Sequence, residues 1–168
     1  MRLETKRLII TEFTIDMAQA VHENSLDEDT RKFLPDEVFE TPEEARETIA
    51  FLMTQYSTED GPLVYPVVTK AGNIIGYVQL VPIEEGWEIG YHIAEKYRGL
   101  GYATEAVSEF MPAIAKRKGI SEIYGICMKE NVASVRVMEK CGFEILYTGE
   151  GIYQEEQKEI VKAVWNCR

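Results

Sequence analysis

The chain has 168 residues, 45% hydrophobic and 28% charged, with a formal net charge of −11; the length and composition predict one domain, residues 1–168, with a real core. The acidity is uneven, since residues 1–60 hold 6 Lys/Arg against 15 Asp/Glu. That balance excludes a typical nucleic-acid binder, whose affinity rests on cationic contacts to phosphate, and suits either a cationic partner or a plain solvated surface.

No signal peptide opens the chain, and the nearly apolar run Ile74 to Ile83 is far too short to span a bilayer, so no membrane association is expected. Three cysteines (Cys127, Cys141, Cys167) are an odd count without metal spacing, which points to a reducing cytoplasm. The two histidines, His22 and His92, lie in no metal-binding motif, and no metal is expected.

In chain order, residues 7–13 read as a strand. Ile15 to Leu26 reads as a helix, with Thr14 as N-cap and Met17, Ala18 and Val21 inward. Asp27 to Glu40 reads as irregular, anchored by Phe33, Leu34 and Phe39. Thr41, Pro42 and Glu44 form a capping box with a favourable proline, and Ala45, Ile49, Leu52 and Tyr56 follow at helical spacing. Leu63 to Lys70 and Asn73 to Pro82 suggest a hairpin, and Trp87 to Ile93 the next strand. Ala103 to Lys118 is a helix that Pro112 should bend and Gly119 ends, with Lys116, Arg117 and Lys118 matching its dipole. Glu122 to Met128 is a strand, Asn131 to Lys140 a helix, and Phe143 to Thr148 and Glu159 to Trp165 closing strands.

The most informative stretch joins the strand at Trp87 to the helix at Ala103. Arg98, Gly99, Gly101 and Ala103 give R-G-x-G-x-A. Two glycines allow a tight turn with N–H groups pointing inward, and the helix adds unpaired N–H groups and its positive dipole end. Such a loop binds phosphate or pyrophosphate. A Walker A loop fails for want of Gly-Lys-Ser/Thr. A dinucleotide fold fails because Thr104 stands at the third glycine position and the repeated βαβ pattern is absent. A plain strand-to-helix turn stays open on this loop alone.

Asn131, Ser134, Lys140, Gly142 and Phe143 follow the loop by one helix and one strand, as N-x-x-S-x-x-x-x-x-K-x-G-F. This pairing resembles the GNAT superfamily of N-acetyltransferases, in which the two motifs bind acetyl-coenzyme A. Glu-Ile-Gly-Tyr (88–91), Gly-Tyr-Ala-Thr-Glu-Ala (101–106) and the opening Leu3 to Leu8 look most like the Rim-type branch, which acetylates ribosomal-protein N-termini. The resemblance implies a mixed α/β, mostly antiparallel sheet of about seven strands flanked by about four helices. It also implies direct acetyl transfer from acetyl-CoA to a primary amine, either a protein N-terminus or a small cationic amine. A homodimer is the expectation from the family. A non-catalytic acyl-CoA-binding or sensor protein is the alternative.

Carried onto this chain, the resemblance assigns the pyrophosphate to backbone N–H groups of Arg98, Gly99, Leu100, Gly101, Tyr102, Ala103 and Thr104. The Arg98 side chain adds a charge-assisted contact or is a surface arginine. The strand Trp87 to Ile93 runs beside the pantetheine arm, with His92 and Ile93 nearest the thioester. Gly90 leaves space for a close approach or marks a bulge. An amine with pKa ~10.4 is only about one part in two thousand neutral at pH 7, so the site must take a proton. Strand alternation puts Glu88 and His92 on one face, with Glu88 the first choice for general base and His92 the second. The tyrosine that many family members use as acid is Met138 here, which leaves Ser134 as the substitute or as an ordinary helix serine. Asn131 can cap its helix and also bond the cofactor. Cys127 and Cys141 lack a nearby base and read as small buried residues. Glu28, Asp29, Asp36 and Glu37, with a loop from Gly149 to Gln157, are expected to greet a cationic acceptor.

Overall fold

An eight-stranded sheet runs through the chain in the order β1-β2-β3-β4-β5-β6-β8-β7. The structure, a computed structural model, describes residues Met1 to Arg168. The strands are β1 (Leu3–Glu4), β2 (Leu8–Ile10), β3 (Leu63–Thr69), β4 (Ile74–Ile83), β5 (Gly86–Ile93), β6 (Glu122–Met128), β7 (Glu144–Tyr153) and β8 (Glu156–Asn166). The helices are α1 (Ala18–Asn24), α2 (Glu28–Phe33), α3 (Pro42–Gln55), α4 (Tyr102–Lys118) and α5 (Val132–Lys140). Every strand pair is antiparallel except β5 with β6, which is parallel. The mixed α/β class agrees with expectation, with one more strand and one more helix. No helix is long and apolar enough to cross a membrane.

The extra strand is β1, two residues paired as Leu3↔Ile10 and Glu4↔Ile9, too short to leave a period in sequence. The extra helix is α2, inside the segment expected to be irregular. Its signals are local: Asp27 accepts from the Thr30 N–H as N-cap, acids fill the first turn, and Arg31 and Lys32 fill the last. The helix expected from Ile15 begins as a 3-10 turn and becomes α1 at Ala18; Thr14 makes no side-chain cap bond and its hydroxyl goes to Asp16 instead. At α3 the Thr41 hydroxyl accepts from the Glu44 N–H as predicted, but Glu44 reaches back to the N–H of Glu40 rather than of Thr41. The closing hairpin is longer than expected. Residues assigned to a loop extend β7 and β8 to a tight turn at Gln154 and Glu155, both at positive φ.

Two apolar clusters hold the sheet. On one face α4 buries Ala106, Val107, Phe110, Met111, Ile114 and Ala115 against Tyr65, Val67, Val78, Leu80 and Ile123. On the other, Ala18 and Val21 of α1 and Ala45 and Ile49 of α3 cover Val64 and Tyr77. Strand alternation explains the split, because neighbouring residues of β3 such as Val64 and Tyr65 face opposite sides. Each fully buried side chain of this kind contributes about 1.5–3 kcal/mol.

One polar contact ties the start of the chain to the start of α4. Glu105 accepts from the Arg7 N–H (2.7 Å), the Arg7 Nε (2.6 Å) and the Thr5 hydroxyl (2.7 Å). Arg7 Nη1 also donates to the Leu100 carbonyl at 2.9 Å, and its guanidinium lies 4.3 Å from the Tyr102 ring centroid. Burial opposes the Glu105 charge, but the bonds from Thr5 and Arg7 outweigh it and lower its pKa. The loop before α4 is therefore clamped from outside. Arg7→Ala should lower stability by about 1–3 kcal/mol in urea unfolding, because Glu105 loses its countercharge. Adding Glu105→Gln should cost less than the two single losses combined; strictly additive losses would contradict the clamp.

Candidate active site

β5 and β6 share one register pair, Glu88↔Tyr124, and then diverge. Beyond Glu88, one edge of β5 has no strand partner although it lies inside the sheet. A cavity of about 680 Å³ occupies the divergence, walled by Glu88 to Ile93, by Gly125 to Cys127, by the first turns of α5 and by α2. Its lining holds five carboxylates (Asp29, Asp36, Glu37, Glu88, Glu130) and one basic side chain, Arg98.

The glycine loop closes one end of the cavity, where Arg98 and Ala103 line it. Gly99 and Gly101 stand at φ +76° and +82°, a backbone conformation that L side chains rarely adopt, and nothing lies within 4 Å of a Cβ placed on Gly99. The backbone N–H groups from Gly99 through Thr104 donate to no backbone carbonyl, whereas Glu105 begins the helical pattern by donating to Gly101. Six successive donors stand at this helix N-terminus, an array able to hold an anion; the seventh expected, the Arg98 N–H, donates to the Glu95 carbonyl instead. Leu100 is exposed and Tyr102 half-buried.

Arg98 corrects one expectation. Its guanidinium turns inward, donating to the Ile93 carbonyl (2.7 Å) and to Asp27 (2.9 Å), and also reaching Asp29 (3.3 Å). Asp27 is half-buried and caps α2, so desolvation disfavours its charge, yet the bonds from Arg98 and Thr30 bring its pKa down to about 2. Arg98 thus serves as countercharge to Asp27, and the cradle consists of backbone donors.

His92 and Glu88 do share a face of β5, but they differ chemically. His92 is buried, with Nε2 2.8 Å from the Thr30 hydroxyl and its ring stacked on Tyr77. Burial, with the nearby Arg98, pushes its pKa down to about 4. A ring that holds a proton so weakly is a poorer base for an ammonium group than Glu88, and His92 lines the cavity wall as a neutral ring. Glu88 moves the other way: burial first, then the charges of Glu37 and Glu85, push its pKa up to about 7. Gly90 is paired regularly with Gln79, so it marks no bulge. Its missing side chain leaves space that the Gln79 side chain takes, and the Gln79 amide donates to Glu37 at 2.9 Å.

Across the cavity, Asn131 caps α5 by accepting from the Ser134 N–H at 3.3 Å. The Ser134 hydroxyl lies 2.7 Å from the hydroxyl of Tyr91, which reaches over from β5. Met138 is buried in the core, and a Cβ on Gly125 would stand 2.6 Å from its sulfur. Met138 fills the space that Gly125 leaves. Burial pushes the thiols of Cys127 and Cys141 up to about 11, so both stay protonated.

Sequence reasoning included Tyr91 in the strand beside the pantetheine and Tyr153 in the acceptor loop without giving either side chain a role, and it missed the Arg7 clamp outside the cavity. Tyr153 lines the cavity and donates to the Phe33 carbonyl at 2.9 Å, which joins the closing hairpin to α2. Its place was hidden because residues 149–157 read as a loop. Of the acids expected to meet a cation, Asp29, Asp36 and Glu37 line the cavity and Glu28 does not.

Comparison with known proteins shows the family to which this fold belongs. The family described as Acetyltransferase (GNAT) domain matches residues 7–144. The uncharacterized N-acetyltransferase YnaD of Bacillus subtilis (strain 168) is 30% identical over 176 residues, covering 99% of this chain and all of that protein. An acetyltransferase (GNAT family) from Bacillus anthracis superposes with a TM-score of 0.84 at 28% identity, covering 99% of this chain and 98% of the other. RimL, a ribosomal L7/L12 alpha-N-protein acetyltransferase solved in complex with coenzyme A, superposes with a TM-score of 0.83 at 18% identity, covering 99% and 98%. The chain belongs to the GNAT acetyltransferase family.

Proposed function

We propose that this protein transfers the acetyl group of acetyl-CoA directly to a primary amine carried by a cationic acceptor, either a protein N-terminus or a small polyvalent amine. The observation that carries the reading is the joining, around one cavity, of a six-donor anion cradle and a carboxylate whose pKa stands at about 7. The cradle from Gly99 to Thr104 holds the pyrophosphate. The unpartnered edge of β5 bonds the pantetheine arm as a neighbouring strand would. Coenzyme A bound to RimL, a protein of the same fold, supports the choice of ligand. The Rim-type motifs in this sequence favour a protein N-terminus among the acceptors.

Glu88 is the general base. A group titrating near the working pH is half ionised there and still accepts a proton from the attacking ammonium, directly or through water. The five carboxylates of the lining attract the acceptor and hold it as a cation until that transfer. The neutral amine then attacks the thioester carbonyl, and backbone N–H groups along β5 stabilise the developing oxyanion. The attacking nitrogen gives up its second proton to solvent, the electrons of the C–S bond pass to sulfur, and the thiolate leaves beside Ser134. Thiols have a pKa near ~8.5, so this leaving group needs modest help.

Thiol release from acetyl-CoA should occur with at least one member of a panel of amines and N-terminal peptides. Stabilisation by CoA without release for any amine would favour the acyl-CoA-binding reading. Rates with cationic acceptors should fall as salt rises, through kcat/KM rather than kcat. Glu88→Gln should lower kcat about 100-fold with acetyl-CoA affinity nearly unchanged.

The same residue makes a prediction about stability. Its folded pKa of about 7 lies above the ordinary carboxylate value of 4.5. Below pH 4.5 both states are protonated and there is no penalty. As pH rises through that window the unfolded chain releases the proton first, so Glu88 destabilises the fold progressively. Glu88→Gln should therefore raise Tm relative to the parent at pH 8 and leave it nearly unchanged at pH 4. An equal shift at both values would contradict a perturbed Glu88.

A further inference from the structure

The acid position left open by Met138 has another occupant. Met138 is buried to 1% exposure and its side chain carries no proton donor. On the cavity side of the same helix, the Ser134 hydroxyl meets the phenol of Tyr91, with oxygens 2.7 Å apart, and the Ser134 carbonyl lies 2.9 Å from the same phenol. Both residues stand on regular elements, α5 and β5, and both line the cavity.

A phenol has one hydrogen and faces two acceptors here. If it donates to the Ser134 carbonyl, the serine hydroxyl must donate to the phenol, and the serine hydrogen is spent. If it donates to Ser134 Oγ, the serine hydrogen is free to point elsewhere. Rotating two hydroxyl hydrogens interconverts these arrangements without moving a heavy atom. Resting on the coenzyme A reading above, we propose that Tyr91 is a positioning residue: by donating to Ser134 Oγ, it makes the serine hydroxyl a hydrogen-bond donor to the sulfur of bound coenzyme A.

The surroundings fit a donor that keeps its own proton. Burial raises the Tyr91 pKa against the opposing hydrogen bond with Ser134, and the ionisable groups that bear on it, Cys127 on β6, Cys141 after α5 and Tyr153 on β7, are themselves held protonated by burial. The other ionisable side chains of β5, Glu88 and His92, project by strand alternation from the opposite face to Tyr91. Tyr91 thus loses no proton in the reaction. The thiolate formed when the C–S bond breaks accepts a hydrogen bond from Ser134, which accepts one from Tyr91, and each hydrogen stays on its own oxygen until the thiolate takes a proton from solvent or from the base. A charge-assisted donor of this kind favours thiolate over thiol.

The test uses coenzyme A itself and needs no turnover. The pH dependence of alkylation of bound CoA by iodoacetamide, followed as the mass of the CoA adduct, reports the midpoint at which its thiol ionises. In the parent protein the midpoint should lie below that of free CoA. Tyr91→Phe removes one oxygen and should reduce the thiolate fraction at fixed pH about tenfold; Ser134→Ala should do at least as much. The double variant should match Ser134→Ala, because Tyr91 acts only through Ser134. Tyr91→His, which returns a ring donor, should recover part of the shift and stands in if the phenylalanine variant does not fold. A Tyr91→Phe midpoint equal to the parent's, or shifts that add in the double variant, would overturn the inference. A shifted midpoint in a protein that acetylates no amine would sink the proposed function and leave Tyr91 in its role; absence of CoA binding would overturn both.

Discussion

Between Glu88 and Ile93 a strand in the middle of the sheet loses its neighbour on one side, because β6 pairs with it only at Glu88↔Tyr124. Buried peptide groups need partners, and an interior edge without one is costly unless a ligand or water supplies them. The rest of the architecture serves that opening. β4 holds the other edge of β5 in regular register from Gly76 to Ile83. The helix α4 packs one face of the sheet and brings the glycine cradle to the end of the cavity, with Arg7 and Glu105 bracing it from outside. The opposite wall is α5, reached from β6 through the Asn131 cap.

Charge within the cavity is sorted by partner. Asp27 has Arg98, keeps its charge and anchors α2 to the end of β5. His92, beside the same arginine, stays neutral. Burial raises both Glu88 and Glu37; at Glu88 the charges of Glu37 and Glu85 add to it and outweigh Lys162, and at Glu37 the charge of Asp36 adds to it. An acceptor ammonium is the group that would relieve this repulsion. In the proposed reaction, acceptor binding and base catalysis would be linked through the same carboxylates. One consequence is that bound cation should lower the pKa of Glu88 and sharpen its ionisation in the complex.

Much of this was legible in the sequence because it rests on local pattern. The two glycines, the helix at Ala103, the Thr41 cap and the alternation of β5 all follow from short-range rules, and the pairing of the glycine loop with Asn131 to Phe143 pointed to the family. What was hidden depends on distant partners. Nothing in the sequence near Arg98 reveals that Asp27, 71 residues away, claims its guanidinium. Gly90 signalled a close approach, but only the β4 register shows that Gln79 fills it. Residues 149–157 read as a loop because the turn at Gln154 and Glu155 lacks the usual Asn-Gly or Asp-Gly signature. The opening Thr5 and Arg7 carried a family likeness whose physical reason, the clamp on Glu105, is visible only in three dimensions.

The central claim is that coenzyme A completes the sheet at β5 while its pyrophosphate rests on the glycine cradle. Amide hydrogen exchange with and without CoA measures both at once, because each site offers N–H groups that the free chain does not pair. The account predicts added protection in two separate segments, Ile89 to Ile93 and Gly99 to Thr104, with the pairs between β4 and β3 unchanged. Protection of the cradle alone, with β5 exchanging as before, would contradict it.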